Sequence, residues 1–189
     1  MSIYRPFCYN ALTCIKITLL YTDYNQAGHN ANKFNIGIAM LSACLKKAGH
    51  QTALVHISSK PTRDELLQRV KNTQPDLVAL SAISNMWPQV QEYTSWLTSL
   101  KLPMVHGGVH PTIVPDEVIR EPGVKILCRG EGEAALVELC HHLQQGTSID
   151  RIPSLWVKKN TGEIAKNPVR PLISDLDQLP APDYDLFNY

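Results

Sequence analysis

Leu77-Val-Ala-Leu-Ser-Ala-Ile83 is a near-continuous apolar run entered through Pro75-Asp76 and followed by Ser84-Asn85. A run of this kind, bounded by turn residues, has the pattern of a strand buried on both faces, as the strands of parallel sheets are. Upstream, Lys16 to Thr22 (KITLLYT) and Thr52 to Ile57 (TALVHI) read as strands. Between them Ile36, Ala39, Met40, Ala43 and Cys44 recur at helical spacing until Ala48-Gly49, where Gly49 can close the helix. A helix from Pro61 to about Asn72, with Thr62 as N-cap and Leu66, Leu67 and Val70 on one face, leads back to the apolar run. Downstream come a helix over Pro88 to Leu100, a strand at Pro103 to Gly108 and a short helix at Pro115 to Arg120. A strand at Lys125 to Cys128 and a helix at Glu133 to Gln145 follow. Strands and helices alternate five times, which predicts right-handed crossovers and a doubly wound α/β domain on a five-stranded parallel sheet.

The texture changes after this domain. Ile152 to Lys158 and Glu163 to Arg170 flank Lys159-Asn-Thr-Gly162, the signature of a β-hairpin. The Pro- and Asp-rich stretch from Leu172 to Phe187 reads as an extended linker docked by its leucines. The expected organisation is an N-terminal extension over 1–15, the α/β domain over 16–150, and a hairpin with linker over 151–189, leading to something further.

Composition narrows the function. The chain has 189 residues, 44% of them hydrophobic and 19% charged, so it is an ordinary globular sequence. Eighteen Lys and Arg against 17 Asp and Glu give a net charge of +1, which leaves little surplus for a nucleic-acid face. The five cysteines (8, 14, 44, 128 and 140) form no CxxC pair and make a poor framework for disulfides, zinc or an iron–sulfur cluster. No signal-peptide pattern opens the sequence, and the apolar run from Ala11 to Tyr21 is too short to span a bilayer and is broken by Lys16. The expectation is a cytoplasmic, reduced, soluble chain without a membrane span.

In open parallel sheets, ligands bind beyond the carboxyl ends of the strands, where strand order reverses. The segments there are Asp23 to Lys33, Ser81-Ala-Ile-Ser-Asn-Met-Trp87, Gly107-Gly-Val-His-Pro-Thr112 and Arg129-Gly-Glu-Gly-Glu133. Each also has a plain structural reading. Gly107-Gly108 suits a tight turn, Ser81 and Ser84 suit caps, and Arg129 with Glu131 or Glu133 suits an ion pair or a helix start. His106 reads as packed on its strand, and Trp87 as core. No Walker A sequence, GxGxxG after the first strand or Gly-x-Ser-x-Gly elbow is present. No catalytic and no metal-ligating residue is assigned.

Taken together, the rim segments resemble the cobalamin-binding N-terminal domain of B12-dependent radical S-adenosylmethionine enzymes. Gly107-Gly-Val-His-Pro-Thr, Pro115-Asp-Glu-Val and Arg129-Gly-Glu-Gly-Glu carry the resemblance. In the tail, Ile152-Pro-Ser-Leu, Asp175-Leu-Asp-Gln-Leu-Pro and Pro182-Asp-Tyr-Asp-Leu-Phe add to it. The resemblance implies cobalamin as cofactor and, as partner, a C-terminal radical S-adenosylmethionine domain of the same polypeptide. The CxxxCxxC motif of that domain is absent here, so the [4Fe–4S] cluster and S-adenosylmethionine belong only to the full-length protein, a methyltransferase or cyclase acting on a small molecule. The chain alone is then not catalytic.

The wider cobalamin fold has Asp-x-His-x-x-Gly after the first strand. Here Asp23, Asn25 and Gly28 stand at those positions, with Asn25 in place of the cobalt-binding histidine. A carboxamide is a poorer transition-metal ligand than imidazole, so the resemblance implies cobalamin bound base-off without a histidine ligand; His29 and His110 are the alternatives. The implied cofactor-binding residues are Asp23, Asn25, Gly28, Ser81, Ile83, Ser84, Asn85, Gly107, Gly108, Val109, His110, Arg129, Gly130 and Glu131. A bulky residue at Gly108 is expected to block a cofactor slot but to affect a scaffold mainly in stability. The competing readings are a cofactor-free scaffold that docks substrate or barrel, and a flavodoxin-like domain binding another nucleotide.

Overall fold

The structure is a computed structural model that describes residues 14–23 and 34–187. Its centre is one sheet of seven strands in the order β2-β1-β3-β4-β5-β6-β7. The first five, β1 (Lys16–Thr22), β2 (Gln51–Ile57), β3 (Leu77–Ser81), β4 (Met104–Gly107) and β5 (Ile126–Cys128), are mutually parallel. The hairpin strands β6 (Leu155–Lys158) and β7 (Ile164–Lys166) extend the same sheet antiparallel from β5. The chain therefore winds outward from β1 in both directions, and the reversal lies between β1 and β3.

Alternation along each strand divides the core in two. Leu20, Val78, Leu80 and Leu127 face α2 (Arg63–Asn72) and α3 (Trp87–Leu97), which bury Leu66, Leu67, Val70, Val90, Tyr93 and Leu97 there. Ile17, Leu19, Leu77, Ala79, Ile126 and Cys128 face α1 (Ile36–Lys47) and α6 (Glu133–Gln145). Two apolar faces on one strand are what the run from Leu77 demanded.

Local signals set most boundaries. Thr62 caps α2 in a full capping box with Glu65, and Asn35 caps α1 by accepting the Ile38 N–H at 3.0 Å. Gly49 takes φ +87° after α1, and its N–H donates to the Lys46 carbonyl. The segment after β4 is more helical than its sequence suggests. Val109–Ile113 forms α4, and Pro115–Val118 forms α5, a single turn. Helix α3 stops at Leu97 and tightens into a 3₁₀ turn over Thr98–Leu100.

The tail departs from expectation in how it is held. Leu172 and Leu176 are 78% and 66% exposed, so of the expected leucines it is Leu186 that packs against the core. Polar and aromatic anchors supply the rest. Arg170 pairs with Glu138 on α6, and Lys47 Nζ donates to the Gln178 carbonyl at 3.1 Å. The Asp183 carboxylate takes the Ser42 hydroxyl at 2.5 Å and the Lys46 ammonium at 2.6 Å. Tyr184 and Phe187 then pack on Phe34, each with ring centroids 5.1 Å away. A segment this rich in Pro and Asp has few apolar side chains to bury, so carboxylates and backbone carbonyls carry the attachment. Among the described residues, no helix is long and apolar enough to cross a membrane.

Candidate functional site

At the switch point, the carboxyl ends of β1, β3, β4 and β5 and the start of α1 and α6 enclose a cavity of about 190 Å³. Among the described residues, five glycines (37, 107, 108, 130 and 132) line it together with Ala79 and Ser81, while Leu19, Val105 and Leu136 supply apolar wall. Absent side chains open the space, and the central strands decide how deep it runs.

The two glycines at the end of β4 have different jobs. Gly108 has φ +96°, and a Cβ there would lie 2.7 Å from the Ala82 carbonyl oxygen and 2.9 Å from its nitrogen. Gly108 is therefore required by the turn itself, which is zipped by Ala82 N–H to Gly107 O and His110 N–H to Ala82 O. A bulky residue at Gly108 would damage fold and slot together, so the expected discrimination there does not hold. A Cβ at Gly107 would sit 3.7 Å from Cys128 Cβ, an ordinary contact, on the side of the sheet that lines the cavity. Gly107 is the residue whose missing side chain makes room.

A latch joins the two neighbouring loops. The Thr112 hydroxyl accepts the Gly130 N–H at 3.0 Å and donates to the Gly108 carbonyl at 2.8 Å. Gly130 takes φ +73° to reach it. Thr112 was visible only as a polar residue closing a motif, and its role needed the fold.

The remaining expected residues divide by position. Ser81 lines the cavity, its hydroxyl 2.9 Å from where a Cβ on Gly108 would be. Ile83, Ser84, Asn85 and Val109 are exposed on the rim above it, Ile83 and Val109 at 48% and 53%. His110 stacks on Trp87 with centroids 4.9 Å apart, and its Nδ1 lies 3.2 Å from Ser84 Oγ. Burial holds its pKa below the usual histidine range, against the opposing pull of Glu117. Arg129 lies away from the cavity, its guanidinium 4.9 Å over the Trp156 ring, and it pairs with neither Glu131 nor Glu133 among the described residues. Glu131 accepts the Ile173 N–H of the tail at 3.0 Å while also lining the cavity. Asp23, at the end of β1, has its carboxylate 3.0 Å from His56 Nε2 on β2. Asn25, Gly28 and His29 lie outside the described residues.

The site has polar members that the sequence reading did not single out as ligands. Asn35 and Glu133 both line the cavity, and Glu133 Oε2 is buried with no hydrogen-bond partner among the described residues. Cys128 forms part of the floor, and burial first, then Glu133, push its thiol up to about 12, so it stays protonated. His106 is wholly buried on the other face of the sheet, its Nε2 2.9 Å from Thr94 Oγ1, and burial lowers it to about 4. It is packed and neutral, as expected. No group of three or more His, Cys, Asp or Glu among the described residues is arranged to hold a metal ion.

The residues present fit one end of the cofactor that the resemblance implies. Complete small-molecule sites run to roughly 300–1,000 Å³, so a cavity of about 190 Å³ suits a narrow tail rather than a macrocycle. The glycine floor admits backbone approach, and the orphaned Glu133 oxygen wants a donor that the protein does not supply.

Comparisons with known proteins agree with this geometry. A family profile described as B12 binding domain matches residues 32–140. An uncharacterized methyltransferase of Pyrococcus horikoshii is 28% identical over 154 residues, covering 80% of this chain and 33% of that protein. The anaerobic magnesium-protoporphyrin IX monomethyl ester cyclase of Synechocystis is 30% identical over 149 residues, covering 75% of this chain and 30% of the cyclase. The chain thus spans about a third of the length of these curated relatives. Among solved structures, the cobalamin-dependent radical enzyme OxsB, with aqua-cobalamin and S-adenosylmethionine bound, superposes with a TM-score of 0.78 at 21% identity, over 92% of this chain and 24% of OxsB. The methyltransferase TsrM of Kitasatospora setae, with cobalamin and a [4Fe–4S] cluster, gives 0.70 at 16% identity, over 89% of this chain and 31% of TsrM. These likenesses place the fold. The profile match covers more than half of the sequence and contains the whole glycine-lined rim from Asn35 to Glu133, and by it the chain belongs to the B12-binding domain family.

Proposed function

We propose that this chain is the cofactor module of a B12-dependent radical S-adenosylmethionine enzyme, a methyltransferase or cyclase, and that it holds cobalamin base-off without a histidine ligand. The observation that carries the reading is the glycine-floored cavity opening at the switch point beneath an exposed apolar rim. Cobalamin, when bound, supplies the carbon-transfer chemistry of its cobalt centre. The chain's own residues grip and exclude water. Gly107, Ser81 and Gly132 would admit the nucleotide tail, while Leu19, Val105 and Leu136 would keep its surroundings dry. Ile36, Ile83, Val109 and Ile113 stand exposed around the mouth, where a flat macrocycle or the following domain would cover them.

The axial assignment has support in the histidines. No histidine lines the cavity among the described residues; His110 stacks on Trp87 and turns Nδ1 to Ser84, while its Nε2 has no hydrogen-bond partner among the described residues and keeps His110 as the alternative ligand. The partner in this reading is a radical S-adenosylmethionine domain that follows residues 151–189, in the reducing cytoplasm that the four free thiols among the described residues suit.

The test is a titration with hydroxocobalamin followed by desalting, absorbance and electron paramagnetic resonance of the cob(II)alamin form. Retained corrinoid absorbance without nitrogen superhyperfine splitting is expected. Nitrogen splitting, from a histidine or from a retained benzimidazole, would refute base-off binding without a histidine ligand, and loss of all absorbance on desalting would refute the module reading.

A further inference from the structure

We propose that Glu133 reads a ribose hydroxyl on the corrinoid's lower nucleotide, so that the module selects corrinoids carrying a complete nucleotide loop. This rests on the cofactor reading above and names a recognition residue for it. Glu133 is the first residue of α6 and lines the cavity, with Oε2 shut off from solvent and from every donor among the described residues. An acceptor buried this way bears its full desolvation cost until a donor arrives. Its neighbours do not relieve it. Glu133 acts among the causes that raise the thiols of both Cys44 and Cys128, so two weak protonated donors stand near it without bonding it. Glu131 differs, since its carboxylate already takes the Ile173 N–H.

Charge and polarity select which part of the tail can meet this oxygen. Among the described residues, the only ionisable carboxyls of the lining are Glu131 and Glu133, and no Lys or Arg lines the cavity. A phosphate is therefore repelled from its depth. The ring nitrogen of a detached benzimidazole is an acceptor and offers a carboxylate nothing, whereas its faces suit Leu19, Val105 and Leu136. Of the donors in the nucleotide loop, the linker amide N–H stays beside the macrocycle, and the hydroxyls of the ribose enter with the base.

The experiment compares three probes on wild type, Glu133→Leu and Glu133→Gln: hydroxocobalamin, cobinamide, which lacks phosphate, ribose and base, and pseudocobalamin, which keeps phosphate and ribose but carries adenine. Dissociation constants come from absorbance titration, with a thermal melt of each unliganded chain to verify folding. Glu133→Leu is expected to weaken hydroxocobalamin and pseudocobalamin alike by roughly 10- to 100-fold. Cobinamide should change by less than about twofold, and Glu133→Gln, which keeps an acceptor oxygen, should recover most of the loss. If Glu133→Leu fails to fold, Glu133→Ala, which also removes the acceptor, replaces it in the same comparison of cobalamin with cobinamide affinity. Equal weakening of cobinamide would overturn the inference, as would an effect on only one of the two nucleotide-bearing probes. Failure of the wild type to bind hydroxocobalamin at all would instead overturn the cofactor reading.

Discussion

Replacing Gly107 with valine and, separately, Gly108 with alanine pulls apart the cavity and the turn that builds it. Gly107 ends β4 opposite Ser81, and a Cβ there meets nothing closer than Cys128 Cβ at 3.7 Å. Gly107→Val therefore puts its methyl groups into open space, and the unliganded chain should melt close to wild type. With the tail bound, that space is occupied. Overpacking a filled site costs roughly 1–3 kcal/mol, which corresponds to about a 5- to 150-fold weaker cobalamin dissociation constant. Gly108→Ala behaves in the opposite way. Holding alanine at the φ of +96° found at this position adds backbone strain, a cost of roughly 1–3 kcal/mol. For a chain of this size each kcal/mol lowers Tm by about 2–4 °C, so the drop is about 2–12 °C. The 2.7 Å approach to the Ala82 carbonyl pushes it toward the upper end. Thermal melts of the unliganded proteins and absorbance titrations with hydroxocobalamin read both quantities. Wild-type affinity in Gly107→Val would refute the location of the slot, and a wild-type melt in Gly108→Ala would refute the strain.

Thr112→Val removes the hydroxyl that both accepts from Gly130 and donates to Gly108; a loss of about 1–2 kcal/mol in urea denaturation is expected, with weaker cobalamin binding. His106 binds its proton only near pH 4 in the fold but near 6.5 when unfolded. Its contribution is thus complete above about pH 6.5 and declines as the pH falls toward 4, by about 3 kcal/mol in total. Urea midpoints measured across that window should slope less in His106→Gln than in wild type. Thr62→Ala breaks the capping box of α2 at a distance from the site, so a loss of about 1 kcal/mol with unchanged cobalamin affinity is expected by the same two assays.

Much of this was readable because burial on two faces leaves its mark on a single strand. The run from Leu77 located the sheet centre, and the alternation of elements located the rim on which Ser81, Gly107 and Gly130 stand. What escaped depended on the sign of a dihedral or the phase of a helix. Gly107 and Gly108 are identical letters, and only the φ of Gly108 assigns one to the cavity and the other to the turn. Glu131 and Glu133 are two positions apart, and a backbone N–H from Ile173 occupies one while α6 turns the other inward. Arg129 looked like the partner of either carboxylate, but Trp156 sits directly opposite Leu127, two residues before it, in the register and offers its ring face instead. The addition of β6 and β7 to the sheet was equally hidden, since a hairpin signature specifies its own two strands and says nothing of a third.

The strap formed by the tail has a consequence for the order in which the molecule is completed. Asp183 closes onto Ser42 across 141 residues of sequence, and the aromatic pair after it packs on Phe34, the residue that leads into α1. During synthesis the parallel strands and both helical layers can assemble while this segment is still unmade. The start of α1, which forms one lip of the cavity, gains its last supports only when residues 183–187 emerge. A nascent chain can therefore carry its sheet before it carries a finished mouth.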